Sequence, residues 1–114
     1  MNPTTNGPRF RAYDLALEAL QLLAAPLARI RAADRSLADQ LQRAAASAAL
    51  NIAEGSHRRG RDRAHFYRMA AGSASESRAT LEIAASLAYV DRAEVAAAWR
   101  ALDGVVAILW RCTH

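Results

Sequence analysis

The sequence contains no lysine; its basic residues are fifteen arginines. Cys112 is the sole cysteine, which excludes a disulfide framework within the chain. No apolar run of about 18 residues occurs, so no membrane-spanning helix is expected. The polar opening Met1–Pro8 lacks the apolar segment of a secretion signal, and the expected location is the cytoplasm. Large apolar side chains are scarce, because 29 of the residues are alanine. The three histidines, His57, His65 and His114, are scattered, and Cys112 stands apart from His57 and His65, so no zinc-ligand spacing is present. Ser56-His57 is an adjacent pair without a third group, and the chain has neither a G-x-S-x-G elbow nor a phosphate- or dinucleotide-binding glycine loop. Enzymatic activity, a metal, a cofactor and a small-molecule substrate are therefore not expected.

What is abundant points to helix. Alanine has the best helix propensity and lets helices approach closely. Residues 1–8 read as a disordered lead and 9–114 as one all-α domain, an antiparallel up-down-up-down four-helix bundle. The first helix spans about residues 9–32, with Phe10, Tyr13, Leu17, Leu20, Ala24 and Leu27 as its apolar stripe and a kink at Pro26. Ser36 is the expected N-cap of the second helix, whose stripe is Leu37, Leu41, Ala44, Ala48, Ile52 and Gly55, with Gly60 as the stop signal beyond it. The third helix carries Phe66, Ala70, Ser73, Ser77, Leu81, Ala84 and Ala88, with Tyr67 turned outward. Asp91 caps the fourth, with stripe Val95, Trp99, Leu102, Val106 and Leu109. Helices of about 20 residues give a rod roughly 30 Å long.

Leu15 and Leu22 lie one heptad apart, opposite the first stripe; Leu50 and Ile108 also point away from theirs. With so thin an alanine core, Leu15 and Leu22 read as an oligomer interface. Gln40, Ser47, Asn51 and Glu54 line one edge of the second helix, with Arg43 just beyond, and Glu76 holds a comparable position on the third. Polar groups half-buried between helices must be hydrogen-bonded, so Gln40, Arg43, Asn51, Glu54, Ser73 and Glu76 read as a structural network. A Glu54/Glu76 acid–base pair lacks any accompanying third group. Arg58, Arg59, Arg61, Arg63 and Arg68 stand against Glu54 and Asp62, a net of +3 within a chain of net charge +4. Arg58 has Glu54 and Asp62 at i,i+4 spacing, whereas Arg59, Arg61 and Arg63 read as unpaired. Such a cluster fits a solvated loop and also fits a phosphate-binding patch.

The run from Leu41-Gln42-Arg43-Ala44-Ala45 through Asn51-Ile52-Ala53-Glu54-Gly55, then Arg58-Arg59, Phe66 and Gly72-Ser73-x-x-Glu76, preceded by Tyr13-Asp14-Leu15, resembles a family of bacterial four-helix-bundle proteins. That family includes proteins encoded in 23S rRNA intervening sequences and the accessory variability protein (Avd) of diversity-generating retroelements. The resemblance implies a ring-shaped homo-oligomer, a pentamer, and for the retroelement members binding to a reverse transcriptase and its RNA. The resulting expectation is a non-enzymatic oligomeric bundle that binds RNA or a ribonucleoprotein through its arginine-rich tip. The alternative is a protein–protein adaptor or scaffold with no nucleic-acid role.

Overall fold

A computed structural model describes residues 8–114 of the protein, with side chains from residue 11 onward. Residues 1–7 of the expected disordered lead, and the side chain of Phe10, lie outside the described residues. Four helices follow one another: α1 (Pro8–Ala33), α2 (Arg35–Ser56), α3 (Gly60–Ser86) and α4 (Arg92–Thr113). Each packs against two neighbours in the cyclic order α1, α2, α3, α4. The connections are short, so neighbours run antiparallel, and the topology is up-down-up-down. The rod measures 42 × 23 × 22 Å, longer than expected because α1 and α3 have 26 and 27 residues.

Local chemistry sets the helix ends. Asp34, not Ser36, caps α2: its carboxylate accepts the Leu37 N–H at 3.0 Å. The Ser36 expectation fails because the linker is a single residue, and only Asp34 has the extended backbone of an N-cap. Beside it, an Arg31 guanidinium donates to the Asp39 carboxylate. That hydrogen bond, reinforced by the charges of Arg31, Arg35 and Arg43, holds Asp39 below the usual carboxylate pKa. Gly60 does not stop α2, which closes at His57 through His57 N–H to Glu54 and Arg58 N–H to Gly55. Gly60 instead opens α3 at φ 54°, a left-handed conformation that favours glycine. At the start of α4, Glu94 reaches back to the Asp91 N–H.

α3 ends in a left-handed turn built on alanine. Ala88 has φ 63°; its N–H donates to the Ala85 carbonyl and the Tyr89 N–H to that of Ala84, both at 3.0 Å. This is the Schellman arrangement, in which glycine normally occupies the left-handed position. A Cβ there costs about 1–2 kcal/mol. Ala88→Gly is expected to stabilise the bundle by about 1 kcal/mol, read as a rise in the thermal or urea unfolding midpoint. An unchanged or lowered midpoint contradicts this account of the turn.

The core is mostly alanine with few large side chains. On α1 the buried line is Ala12, Ala16, Ala19, Leu23 and Ile30, with Pro26 also buried inside a helix that continues through it. The expected α1 stripe is therefore rotated: Tyr13, Leu20 and Leu27 are only partly buried, while Leu17 and Ala24 are exposed. The reason is close approach. At the centre of the bundle a methyl group fits where a leucine does not, so larger side chains spread to the flanks. The same rotation turns Leu15 inward, placing its Cδ1 close to Gly104 of α4. On α3, Tyr67 is buried and Phe66 only half-buried, reversing the expected orientation. Ala74 and Thr80 join the buried face, whereas Ala88 is exposed. Ile108 is buried rather than outward, while Leu50 is 69% exposed as expected. The α2 stripe is buried as read, apart from the half-buried Leu37, and Ala38, Ala45 and Ala49 widen it. The buried hydroxyls of Ser77 and Thr80 are satisfied within α3: Ser77 donates to the Ser73 carbonyl and Thr80 to that of Glu76.

Candidate nucleic-acid interface

The antiparallel topology brings three features to one end of the rod: the first turns of α1, the α2–α3 connection and the last turns of α4. Of the expected cationic set, the structure divides the arginines by their partners. Arg58 is held on both sides, by Glu54 at 2.9 Å and Asp62 at 3.6 Å. Its guanidinium also lies 5.1 Å from the Phe66 ring centroid. Arg63, expected to be unpaired, is half-buried, and its Nε approaches the Gly55 carbonyl at 3.4 Å. A cation there meets the negative end of α2. The side chains of Arg59, Arg61 and Arg68 are exposed and make no ion pair or hydrogen bond among the described residues. Arg59 occupies the N-cap position of α3 with extended backbone and no capping side-chain bond. The first turn of α3 is therefore left without an N-cap side-chain bond, and an anion is favoured at such an end. His57 and His65 are exposed at this end, as are Arg11 and Arg111.

The polar edge is smaller than expected. Ser73 donates to Ser47 at 3.1 Å across the α2–α3 seam, and the Asn51 amide donates to the Ser47 carbonyl and hydroxyl at 2.9 and 3.1 Å. Gln40, Arg43, Glu54 and Glu76 are exposed and do not join this cluster. Glu54 is taken by Arg58 of the adjoining α2–α3 connection. Gly55, in the same motif, has a separate role. A Cβ there would lie 2.6 Å from Tyr67 Cε1 and 2.7 Å from Cδ1, so the buried ring needs a glycine opposite it.

Contacts between helices distant in sequence gave no local signal. Arg29 pairs with Glu94, Arg78 with Asp103, and Trp99 Nε1 donates to Glu82 at 2.9 Å. Local sequence spacing assigns no partner to Arg29 or Arg78. Trp110, also not foreseen, is exposed at the basic end and stacked on His114; their i,i+4 spacing was the available clue. Leu22 is exposed on α1, but Leu15 is half-buried against α4 and does not continue that face. The other large apolar side chains that are exposed are Leu17 on α1, Leu50 on α2, Met69 and Ile83 on α3, and Leu87 just beyond α3. Among the described residues no three His, Cys, Asp or Glu converge as a metal site, and no helix is long and apolar enough to cross a membrane.

Residues 10–111 match the family described as 23S rRNA-intervening sequence protein. Among solved structures, the fold is similar to that of a protein of unknown function from the S23 ribosomal protein family of Bacteroides thetaiotaomicron. The similarity has a TM-score of 0.79 at 18% identity, covering 90% of this chain and 97% of that one. No curated protein matches the sequence.

Proposed function

The chain belongs to the 23S rRNA-intervening sequence protein family, and from that premise we propose that it is a non-enzymatic, cytoplasmic, oligomeric bundle that binds RNA or a ribonucleoprotein through its arginine-bearing end. The observation that carries this reading is the trio Arg59, Arg61 and Arg68, exposed and unpaired at the end where α3 presents its uncapped N–H groups. Arginine left without an internal partner keeps its full donor set for phosphate, and its planar fork suits that geometry. Arg58 serves a different purpose: clamped by Glu54 and Asp62, it ties the end of α2 to the first turn of α3, beside Arg59 and Arg61. Self-association, as a pentamer by family resemblance, is supported by the exposed apolar side chains of α2 and α3, which a second copy would cover.

Binding carried by three phosphate contacts to single-stranded RNA has a defined salt dependence. The slope of log affinity against log salt is about −0.7 per contact, or roughly −2 in all. Affinity is then expected to fall by about 15- to 20-fold between about 50 and 200 mM salt, measured by fluorescence anisotropy with labelled RNA. The same exposed apolar side chains favour the second reading, a protein–protein adaptor. Absence of RNA binding at about 50 mM salt, where phosphate contacts are strong, would favour that reading instead.

A further inference from the structure

The basic end carries an aromatic group that the arginine reading leaves unused. Trp110 is 60% exposed on the last turns of α4. His114 lies one turn on and stacks on it, with ring centroids 3.4 Å apart and planes 17° apart. The imidazole is itself tethered: its Nδ1 is 3.0 Å from Thr113 Oγ1 and 3.1 Å from the Trp110 carbonyl. One face of the indole is thus backed by a second ring, while most of the side chain remains in solvent. Most of this large aromatic surface lies outside the core and is held in one orientation, which leaves it available to a partner.

Its position relative to the arginines follows from helix register. The Arg78–Asp103 and Glu82–Trp99 contacts fix how α3 and α4 run past each other. Two turns from Asp103 along α4 is Trp110, and two turns back from Arg78 along α3 is Ala71, one turn from Arg68. Arg61, Arg68 and Ser75 recur at heptad spacing, hence on one face of α3. Arg78 donates to both Ser75 and Asp103, so that stripe borders α4. Cationic forks and a backed aromatic plate therefore occupy the same flank at the same end of the rod.

We propose that Trp110, backed by His114, is a stacking platform for an unpaired base, so that the RNA taken by this end is single-stranded where it crosses α4. The inference rests on the RNA-binding reading given above and adds the class of RNA. Phosphates are offered by duplex and single strand alike, and the arginines do not discriminate between them. A base inside a duplex is already stacked on its neighbours, whereas an unpaired base can be laid on a protein ring. With Arg61 and Arg68 on the bordering stripe, the backbone and a base of one strand are engaged together.

The test compares a labelled oligouridine of about 12 nucleotides, within the usual site size, with a blunt GC-rich RNA duplex of equal length, by anisotropy at about 50 mM salt. The wild-type protein is expected to prefer the single strand. Trp110→Ala is expected to weaken single-strand binding by about 5- to 150-fold, the worth of one stacked base, and to leave duplex binding unchanged. Trp110→Phe, which keeps a ring, retains most of the affinity. Thermal melting of both variants close to wild type confirms that a surface group was removed. Equal single-strand binding by wild type and Trp110→Ala, with loss on exchange of Arg59, Arg61 and Arg68, overturns the stacking proposal and leaves the arginine reading standing. Failure of the wild-type protein to bind either RNA overturns both.

Discussion

Gly55→Ala is expected to destabilise the bundle by about 1–3 kcal/mol, the range for forcing extra volume into a packed core. The added methyl would meet Tyr67 Cε1 at 2.6 Å, Tyr67 Cδ1 at 2.7 Å and Phe66 Cβ at 3.1 Å. Tyr67 is 2% exposed, so its ring has no solvent-side space to retreat into. The loss opposes the gain of about 1 kcal/mol that alanine brings in a helix interior. A fall in the thermal midpoint of roughly 4–8 °C per kcal/mol is expected for a domain near this size. A midpoint equal to wild type would mean that the ring does not lie over Gly55.

Gly72→Ala gives the opposite sign and ties the argument to assembly. Nothing lies within 4 Å of a Cβ at Gly72, so in an isolated bundle the substitution stabilises through helix propensity. If a second copy approaches α3 closely at that point, the same methyl lowers stability and reduces the mass seen by light scattering. Gly104→Ala is intermediate: its Cβ meets only Leu15 Cδ1, at 2.9 Å, the far end of a flexible side chain.

Replacing Arg59, Arg61 and Arg68 together by glutamate is expected to reduce RNA affinity by on the order of 100-fold or more at about 50 mM salt, because each exchange replaces a phosphate contact with a repulsion. Each exchange removes two charges, so the formal charge falls from +4 to −2. The fold is expected to survive. None of the three has an ion-pair partner among the described residues, and acidic groups at positions 59 and 61 complement the positive end of α3. Arg35→Glu with Arg92→Glu provides the control. These residues are also exposed at helix starts, but at the opposite end of the rod. An equal loss of binding in the control would show that overall charge, rather than the arginine-bearing end, governs affinity.

The family pattern and the count of four helices were legible because they depend on information local in sequence. Alanine density, turn residues near 34, 58 and 90, and the Asn-Ile-Ala-Glu-Gly run each act within a few residues. The i,i+4 placement of Glu54, Arg58 and Asp62 was readable for the same reason. The heptad reading of α2 succeeded because leucine, isoleucine and alanine shared one face. On α1 it was rotated, because alanine filled the centre of the buried face and larger side chains moved to its flanks; on α3 Ala70, Ser77, Leu81 and Ala84 are buried as read, and the stripe departs at Phe66, Ser73 and Ala88.

By itself, then, the sequence determined the helix count, the topology, the family and the concentration of arginine at one connection, since backbone propensity, capping and short linkers are local properties. Tertiary structure alone decided the rest. It chose Tyr67 over Phe66 for the core because Gly55 leaves room for the ring, and it turned Leu15 inward toward Gly104. It separated Arg63, drawn to a carbonyl of α2, from Arg59, Arg61 and Arg68, which have no partner. It also placed Trp110 on the same flank as Arg68. These outcomes depend on which atoms of different helices meet at close range, and that is fixed only when the helices pack.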